Sequence, residues 1–297
     1  MQVVLFGTGA MACLFGARLS TVSDVTLVGT WSEAMDAIRK RGILCEDSGE
    51  VRSYPVRVQS YDEAARPADL VIVAVKSWQT ARVASRLAAY IAREGVAFSL
   101  QNGLGNVEIL GPRVFPGATG EGATLLGPGH VRSGGSGQTF VVAPGRTVRL
   151  LRRAGFDAIG CSTEDAEGLL WGKLCASCGI NALTALLQVP NGELLGLPGA
   201  CDLMVRAAEE CAAVAEAKGV RLPFPDAAAR AMEVAQSTAG NWSSMYQDIE
   251  RGAPTECDAI YGSVVRAAQQ RAVGTPVNRI LWTLMRALVE RNRRLRH

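Results

Sequence analysis

QVVLFGTGAMACLFGARLS, residues 2–20, runs from an apolar strand through a glycine turn into a helix. That order is the context a dinucleotide fingerprint requires, whereas an isolated G-x-G-x-x-G carries little weight. Gly7 permits the tight turn and Gly9 lets the backbone approach a pyrophosphate. Ala12 fills the third position, where only close packing of helix on strand is demanded. The first helical turn offers N–H groups to an anion, so Thr8, Ala10 and Met11 join Gly7, Gly9 and Ala12 as the cofactor-binding set. An ordinary strand-turn-helix would share these residues, but a second strand follows at once, and that favours the nucleotide.

The second strand, DVTLV at 24–28, ends at Gly29, Thr30, Trp31 and Ser32. About twenty residues after the glycine turn, an NAD site places Asp or Glu to hold the ribose 2′-hydroxyl. Gly29 stands there instead, which removes a repulsion against a 2′-phosphate and leans toward NADP(H). Thr30 and Ser32, with Arg39 or Lys40, are the side chains available to that phosphate.

Further out, DLVIVAV at 69–75 is a continuous run of the kind buried on both faces of a parallel sheet. Lys76 follows it, then a helical stretch WQTARVASRLAAYI, a strand VAFSL at 96–100 and the loop QNGLGN. Ligands of open α/β sheets bind beyond the carboxyl ends of the strands, which places Lys76 and Asn102 beside cofactor and substrate. A solvated loop lysine and a turn asparagine before Gly103 account for the pair equally well. From about 113 to 162 short extended pieces are predicted to complete the sheet, with antiparallel strands on one side and a helix near 146–155. Beyond Thr163 the chain is alanine- and leucine-rich and helical, broken at VPNGEL, GLPGA, GVRLPFP and GTPVN. The expected fold is α/β: a Rossmann-type dinucleotide-binding domain over 1–165 and an all-helical domain over 166–297.

Within the helical part, LLWGKLCASCGINALTALL at 169–187 carries two sets of polar residues. Cys175 and Cys178 form a Cys-x-x-Cys inside a helix, not at its start where the dipole lowers a thiol pKa, so they are read as core cysteines. Among eight cysteines and two histidines no other close pair offers the four ligands of structural zinc, and no metal is expected. Lys173, Ser177 and Asn181, at four-residue spacing, make one polar stripe on a helix that is otherwise apolar nearly all round. A lysine there needs polar partners, which the hydroxyl and amide beside it supply; the alternative is a lysine snorkelling to the surface. NWSSMYQDIERGAPTECDAIYG, 241–262, adds the hydroxyls of Ser243 and Ser244, suited to a substrate carboxylate, and Glu256. Glu256 orients a lysine or a substrate hydroxyl, or else caps a first turn after Thr255.

Composition sets the outer bounds. The chain has 297 residues, is 48% hydrophobic and carries a formal charge of +3. Four arginines lie in the last seven residues, RNRRLRH, where they oppose a helix dipole, so the body of the chain is close to neutral. A nucleic-acid partner is not expected. No run of about 18 apolar residues occurs and the N-terminal apolar stretch lacks a cationic leader, from which a cytoplasmic protein without a membrane partner is expected. Repeats and low-complexity segments are absent.

Taken together, GTGAMA, VAVKSWQT, LQNGLGN, GATLLGPGHV, WGKLCASCGINALTALLQVPNGEL and SSMYQDIERGAPTECDAIYG resemble the ketopantoate reductases (2-dehydropantoate 2-reductases) over essentially the whole chain. The fifth and sixth stretches are the specific ones. The resemblance implies NADPH-dependent reduction of 2-dehydropantoate to pantoate, on the route to pantothenate and coenzyme A. By position, Lys173 corresponds to the family's general acid, Lys76 and Asn102 to its cofactor- and substrate-contacting pair, and Asn181, Ser244 and Glu256 to substrate contacts. Two positions depart from the family: Ser177 stands where asparagine is frequent, and Thr30 where arginine often grips the 2′-phosphate. Rival readings are a reductase of another 2-oxo acid, D-2-hydroxyacid dehydrogenase-like and using NAD, and a dinucleotide-binding sensor without chemistry. Apolar helical stretches suffice for a homodimer interface, and core packing explains them equally well.

Overall fold

The computed structural model describes residues 1–135 and 137–295. They fall into two compact units: Met1–Gln101 with Asn106–Ala166, and Asn102–Gly105 with the chain from Glu167 onward.

In the first unit an eight-stranded sheet has the order Ala158–Gly160, Thr139–Val141, Val114–Thr119, Ile91–Ser99, Ala68–Val73, Gln2–Phe6, Asp24–Gly29, Arg57–Ser60. Thr139–Val141 pairs antiparallel with Val114–Thr119, which reverses the two strands of that edge against an otherwise parallel sheet. Gln2–Phe6 lies between Ala68–Val73 and Asp24–Gly29 in the register Leu5↔Ile72 and Leu5↔Leu27. Val3, Leu5, Leu27 and Ile72 pack on one face with Leu14 and Phe15 of the helix Ala10–Ser20. Val4, Phe6, Val28, Val71 and Val73 pack on the other with Val83, Leu87 and Tyr90. Burial on both faces is the reason these strands are unbroken apolar runs. The turn after Phe6, Lys76 and Gln101 all follow the carboxyl ends of neighbouring parallel strands, at one edge of the sheet.

Two local expectations are corrected. The stretch after Lys76 is a helix only over Thr80–Leu87, between short 3-10 turns, and the next strand starts at Ile91, five residues before Val96. Ala123–Gly127 and His130–Ser133 do not complete the main sheet. They join a hairpin, Ile43–Asp47 and Glu50–Tyr54, in a separate four-stranded sheet. That hairpin closes through Ser48 and Gly49 at φ 51° and 84°, the positive angles a two-residue turn demands.

Among the described residues of the second unit the regular elements are helical: Thr163–Leu187, which starts just before it, Pro198–Ala217, Ala227–Ser237, Ser244–Arg251, Cys257–Gln269 and Pro276–Arg294, with a 3-10 turn at Asn191–Gly196. Pro198 and Pro276 occupy first-turn positions where no amide is needed. Asp226 and Ser243 cap their helices by accepting from the amides of Ala229 and Tyr246. Thr163–Leu187 is long and apolar enough to cross a membrane by length and composition, yet two-thirds of its most apolar window is buried within the protein. Trp171, Leu174, Cys175, Cys178, Ile180 and Leu183 lie in the core with Met204, Cys211, Tyr261 and Val264. Arg291, Arg293 and Arg294 do end the last helix, while Arg296 lies outside the described residues.

Candidate active site

In the first unit the glycine turn is open and presents backbone amides. Gly7 has φ +128°, and a Cβ there would stand 3.1 Å from both the Ala12 Cβ and the Ala74 carbonyl oxygen. A Cβ on Gly9 would meet nothing within 4 Å, so the space over the turn is open. The first intrahelical bond is Cys13 N to Gly9 O, 2.9 Å, leaving the amides of Ala10, Met11 and Ala12 without an acceptor inside the helix. The residues present therefore fit a pyrophosphate. Thr8 is buried, and a Cβ on Gly29 would stand 2.7 Å from its Cγ2, so packing against Thr8 explains the missing carboxylate at that position. Of the side chains read as 2′-phosphate ligands, Thr30 and Lys40 are exposed. Ser32 Oγ donates to Glu33 Oε2 at 3.0 Å, and Arg39 is held by Asp36 at 3.1 Å and Glu63 at 3.6 Å.

Sequence reasoning missed a buried polar network that braces this edge of the sheet. Gln101 Nε2 donates to the Val75 carbonyl at 3.0 Å and to Thr80 Oγ1 at 2.8 Å, and Gln101 Oε1 accepts from Ser99 Oγ at 3.0 Å. Thr80 Oγ1 lies 2.9 Å from Asn106 Oδ1. These bonds tie the backbone just before Lys76 to the backbone just before Asn102. A glutamine following an apolar strand was the available signal, since a polar side chain buried there must find partners.

In the second unit, helix Thr163–Leu187 turns Cys175 and Cys178 into the core and keeps Lys173, Ser177 and Asn181 on the accessible side. All eight cysteines are free. Hydrogen bonding to Cys211 and burial push the Cys175 thiol far above its ordinary range, the opposite of a reactive thiolate. Lys173 is not buried with the rest of its helix. Lys173 keeps an exposed surface on that side. Desolvation there lowers its pKa below the ordinary lysine value, and the nearby Glu256 carboxylate opposes that shift.

Glu256 is only 4% exposed and precedes helix Cys257–Gln269 without capping it, so the capping alternative falls away. Its Oε2 instead accepts from Asn102 Nδ2 at 3.1 Å. Asn102 reaches it because Asn102–Gly105 packs with the helical unit. Leu104 N donates to the Ala259 carbonyl at 3.0 Å, and a Cβ on Gly103 would lie 2.2 Å from that same oxygen. The two seryl hydroxyls separate in role. Ser243 is buried as a cap and accepts from Thr184 Oγ1 at 2.8 Å, whereas Ser244 is exposed beside it. Lys173, Ser177, Asn181, Ser244, Glu256 and Asn102 thus belong to one unit, and Gly7–Ala12, Thr30 and Lys76 to the other.

Residues 3–145 match the family model Ketopantoate reductase PanE/ApbA, and residues 165–289 match Ketopantoate reductase PanE/ApbA C terminal. The chain belongs to the ketopantoate reductase family. Among curated members, the 2-dehydropantoate 2-reductase of Halobacterium salinarum is 35% identical over 96% of this chain and 98% of its own. A solved PanE/ApbA family ketopantoate reductase from Ralstonia eutropha is 31% identical, with a TM-score of 0.90 over 99% of this chain and 100% of that one. A D-mandelate dehydrogenase, solved with NADH and anilino(oxo)acetate, is 25% identical with a TM-score of 0.91 over 99% of both chains. As in other ketopantoate reductases, a Rossmann-type sheet is joined to a helical region.

Proposed function

We propose that this chain uses NADPH to reduce 2-dehydropantoate to pantoate, a step toward pantothenate and coenzyme A. The observation that carries the proposal is the bond from Asn102 to the buried Glu256, whose carboxylate acts in turn on Lys173. A carboxylate tied to a polar loop and set beside a desolvated lysine is an arrangement for moving one proton.

The chemistry a bound NADPH supplies is a hydride for the keto carbon. Gly7, Thr8, Gly9, Ala10, Met11 and Ala12 would hold its pyrophosphate, Thr30 its ribose end, and Lys76 with Asn102 its reactive end. Lys173 donates a hydrogen bond to the keto oxygen and gives up its proton as alkoxide charge develops. Desolvation, which already disfavours the charged ammonium, assists that transfer. Glu256 keeps the lysine charged until then and holds Asn102. Ser177, Asn181 and Ser244 offer an amide and two hydroxyls to the substrate carboxylate and hydroxyl. Reduced free thiols accord with a cytoplasmic setting. Leu187, Leu197 and Leu203, exposed on the helical unit, accord with a homodimer, which sedimentation velocity would test.

The deciding experiment is cofactor oxidation with 2-dehydropantoate, pyruvate and bulkier 2-oxo acids, each with NADPH and NADH. Preference for 2-dehydropantoate and NADPH is expected. A second reading, an NADH-dependent reductase of an aromatic 2-oxo acid, is favoured by the likeness to D-mandelate dehydrogenase and by the carboxylate partners of Arg39. A reversed preference in the same assay would select it. Cofactor binding without turnover of any acid would point to a sensor.

A further inference from the structure

Tyr261 lies on helix Cys257–Gln269, five residues after Glu256, with 0% of its surface exposed. Its hydroxyl accepts from the Ala182 amide at 2.8 Å and donates toward the carbonyls of Cys178 at 3.0 Å and Ser177 at 3.2 Å. In an α-helix the amide of residue 182 bonds the carbonyl of residue 178. The phenol is within hydrogen-bonding distance of both groups, so it ties this turn of the lysine helix to helix Cys257–Gln269. Neighbouring turns carry more such contacts. Thr184 Oγ1 lies 3.0 Å from the Ile180 carbonyl and 3.1 Å from that of Asn181, and Ser243 Oγ lies 3.4 Å from the latter. Four carbonyls, of residues 177, 178, 180 and 181, are therefore met by side-chain hydroxyls, on the turn that separates Lys173 and Ser177 from Asn181.

We infer that Tyr261 is a positioning residue: its hydroxyl pins the helix that begins at Glu256 into the helix that carries Lys173, and so fixes the proton donor against both Glu256 and Asn181. The inference rests on the proposed role of Lys173. Small and aliphatic side chains of the two helices, Cys178, Ala182, Ile260 and Val264, lie in the same core cluster, and such side chains by themselves hold register weakly. Removing the hydroxyl takes a buried partner from the Ala182 amide and from the carbonyls of Cys178 and Ser177, and unties the two helices at this turn. On this inference Lys173 then shifts relative to the groups proposed to hold the substrate.

Tyr261→Phe tests this. A donor displaced by a fraction of an ångström lowers turnover more than binding, so kcat is expected to fall about tenfold, with the KM for the keto acid within roughly threefold of wild type. NADPH binding, followed by fluorescence, should stay unchanged. Val264→Ala, one turn along the same helix, weakens the same packing and keeps the hydroxyl; it should melt earlier yet hold kcat within about twofold. Tyr261→Phe with wild-type kcat, or Val264→Ala losing as much turnover, overturns the inference. Should the phenylalanine variant fail to fold, 3-fluorotyrosine at position 261 keeps the ring and weakens the acceptor, and an unchanged kcat would again overturn it. Hydrogen exchange at the Ala182 amide, faster once the hydroxyl is gone, reads the pin without substrate. A wild-type enzyme inert toward every 2-oxo acid would thus sink the proposed function and leave the pin to be judged by exchange alone.

Discussion

In the proposed function the glycine turn and the lysine helix work by opposite means. At residues 7–12 the chain acts through backbone amides and through side chains that are missing: Gly7 takes an angle closed to other residues, and Gly9 leaves space. On helix Thr163–Leu187 it acts through side chains on a regular backbone, and each needs a partner from a distant stretch, Glu256 for Lys173 and Asn102 for Glu256. A backbone site is complete within a dozen residues, whereas a side-chain site exists only after the fold has assembled it.

Substitutions that hit one half alone separate the two means. Lys173→Ala should cost roughly 10²–10⁴-fold in kcat, with cofactor binding by fluorescence retained. Full turnover would end the assignment of Lys173. Gly9→Val should do the reverse, raising the cofactor KM by about tenfold or more, since the added atoms occupy the space over the turn where the pyrophosphate would approach. Its melting temperature should hold. Gly7→Ala instead damages the fold, by about 1–2 kcal/mol in chemical denaturation, because its φ is hostile to a Cβ.

The pH profile sharpens the side-chain half. In the proposed mechanism Lys173 works protonated, so the rate should fall as pH rises through its pKa. Desolvation by the surrounding protein lowers that pKa, and the alkaline limb should lie below the ordinary lysine value of about 10.4. Glu256 holds the pKa up, so Glu256→Gln should move the limb to still lower pH; a limb that stays or rises would separate Glu256 from Lys173. The smallest kinetic effect belongs to Cys175→Ala combined with Cys178→Ala. Turnover should remain within about twofold, while stability drops by roughly 1–3 kcal/mol because both thiols are core packing.

Much of the fold could be read directly. Gln2–Phe6 and Ala68–Val73 are buried on both faces and therefore written as continuous apolar runs, and the polar stripe of Lys173, Ser177 and Asn181 stands out against an apolar helix. The second sheet was illegible for a physical reason. Glu50–Tyr54 is exposed along most of its length, and Ile43–Asp47 pairs with His130–Ser133, some eighty residues away, so neither pattern nor proximity announced it. At the site, Glu256 could be a cap or a partner by sequence, and only its bond to Asn102, 154 residues distant, decides between them. Gln101 and Tyr261 escaped because each serves backbone groups of another segment, and a polar residue after an apolar strand signals at most that Gln101 needs partners, not which ones.

The four residues Asn102–Gly105 interrupt the first unit in sequence while packing with the second. For protein engineering this makes the helical unit a discontinuous module. A chimera that exchanges it at residue 166 alone would confront a foreign Ala259 position with the native Gly103, and a foreign carboxylate with the native Asn102. Grafting the loop together with the helices keeps those contacts matched, so the productive exchange has three junctions rather than one.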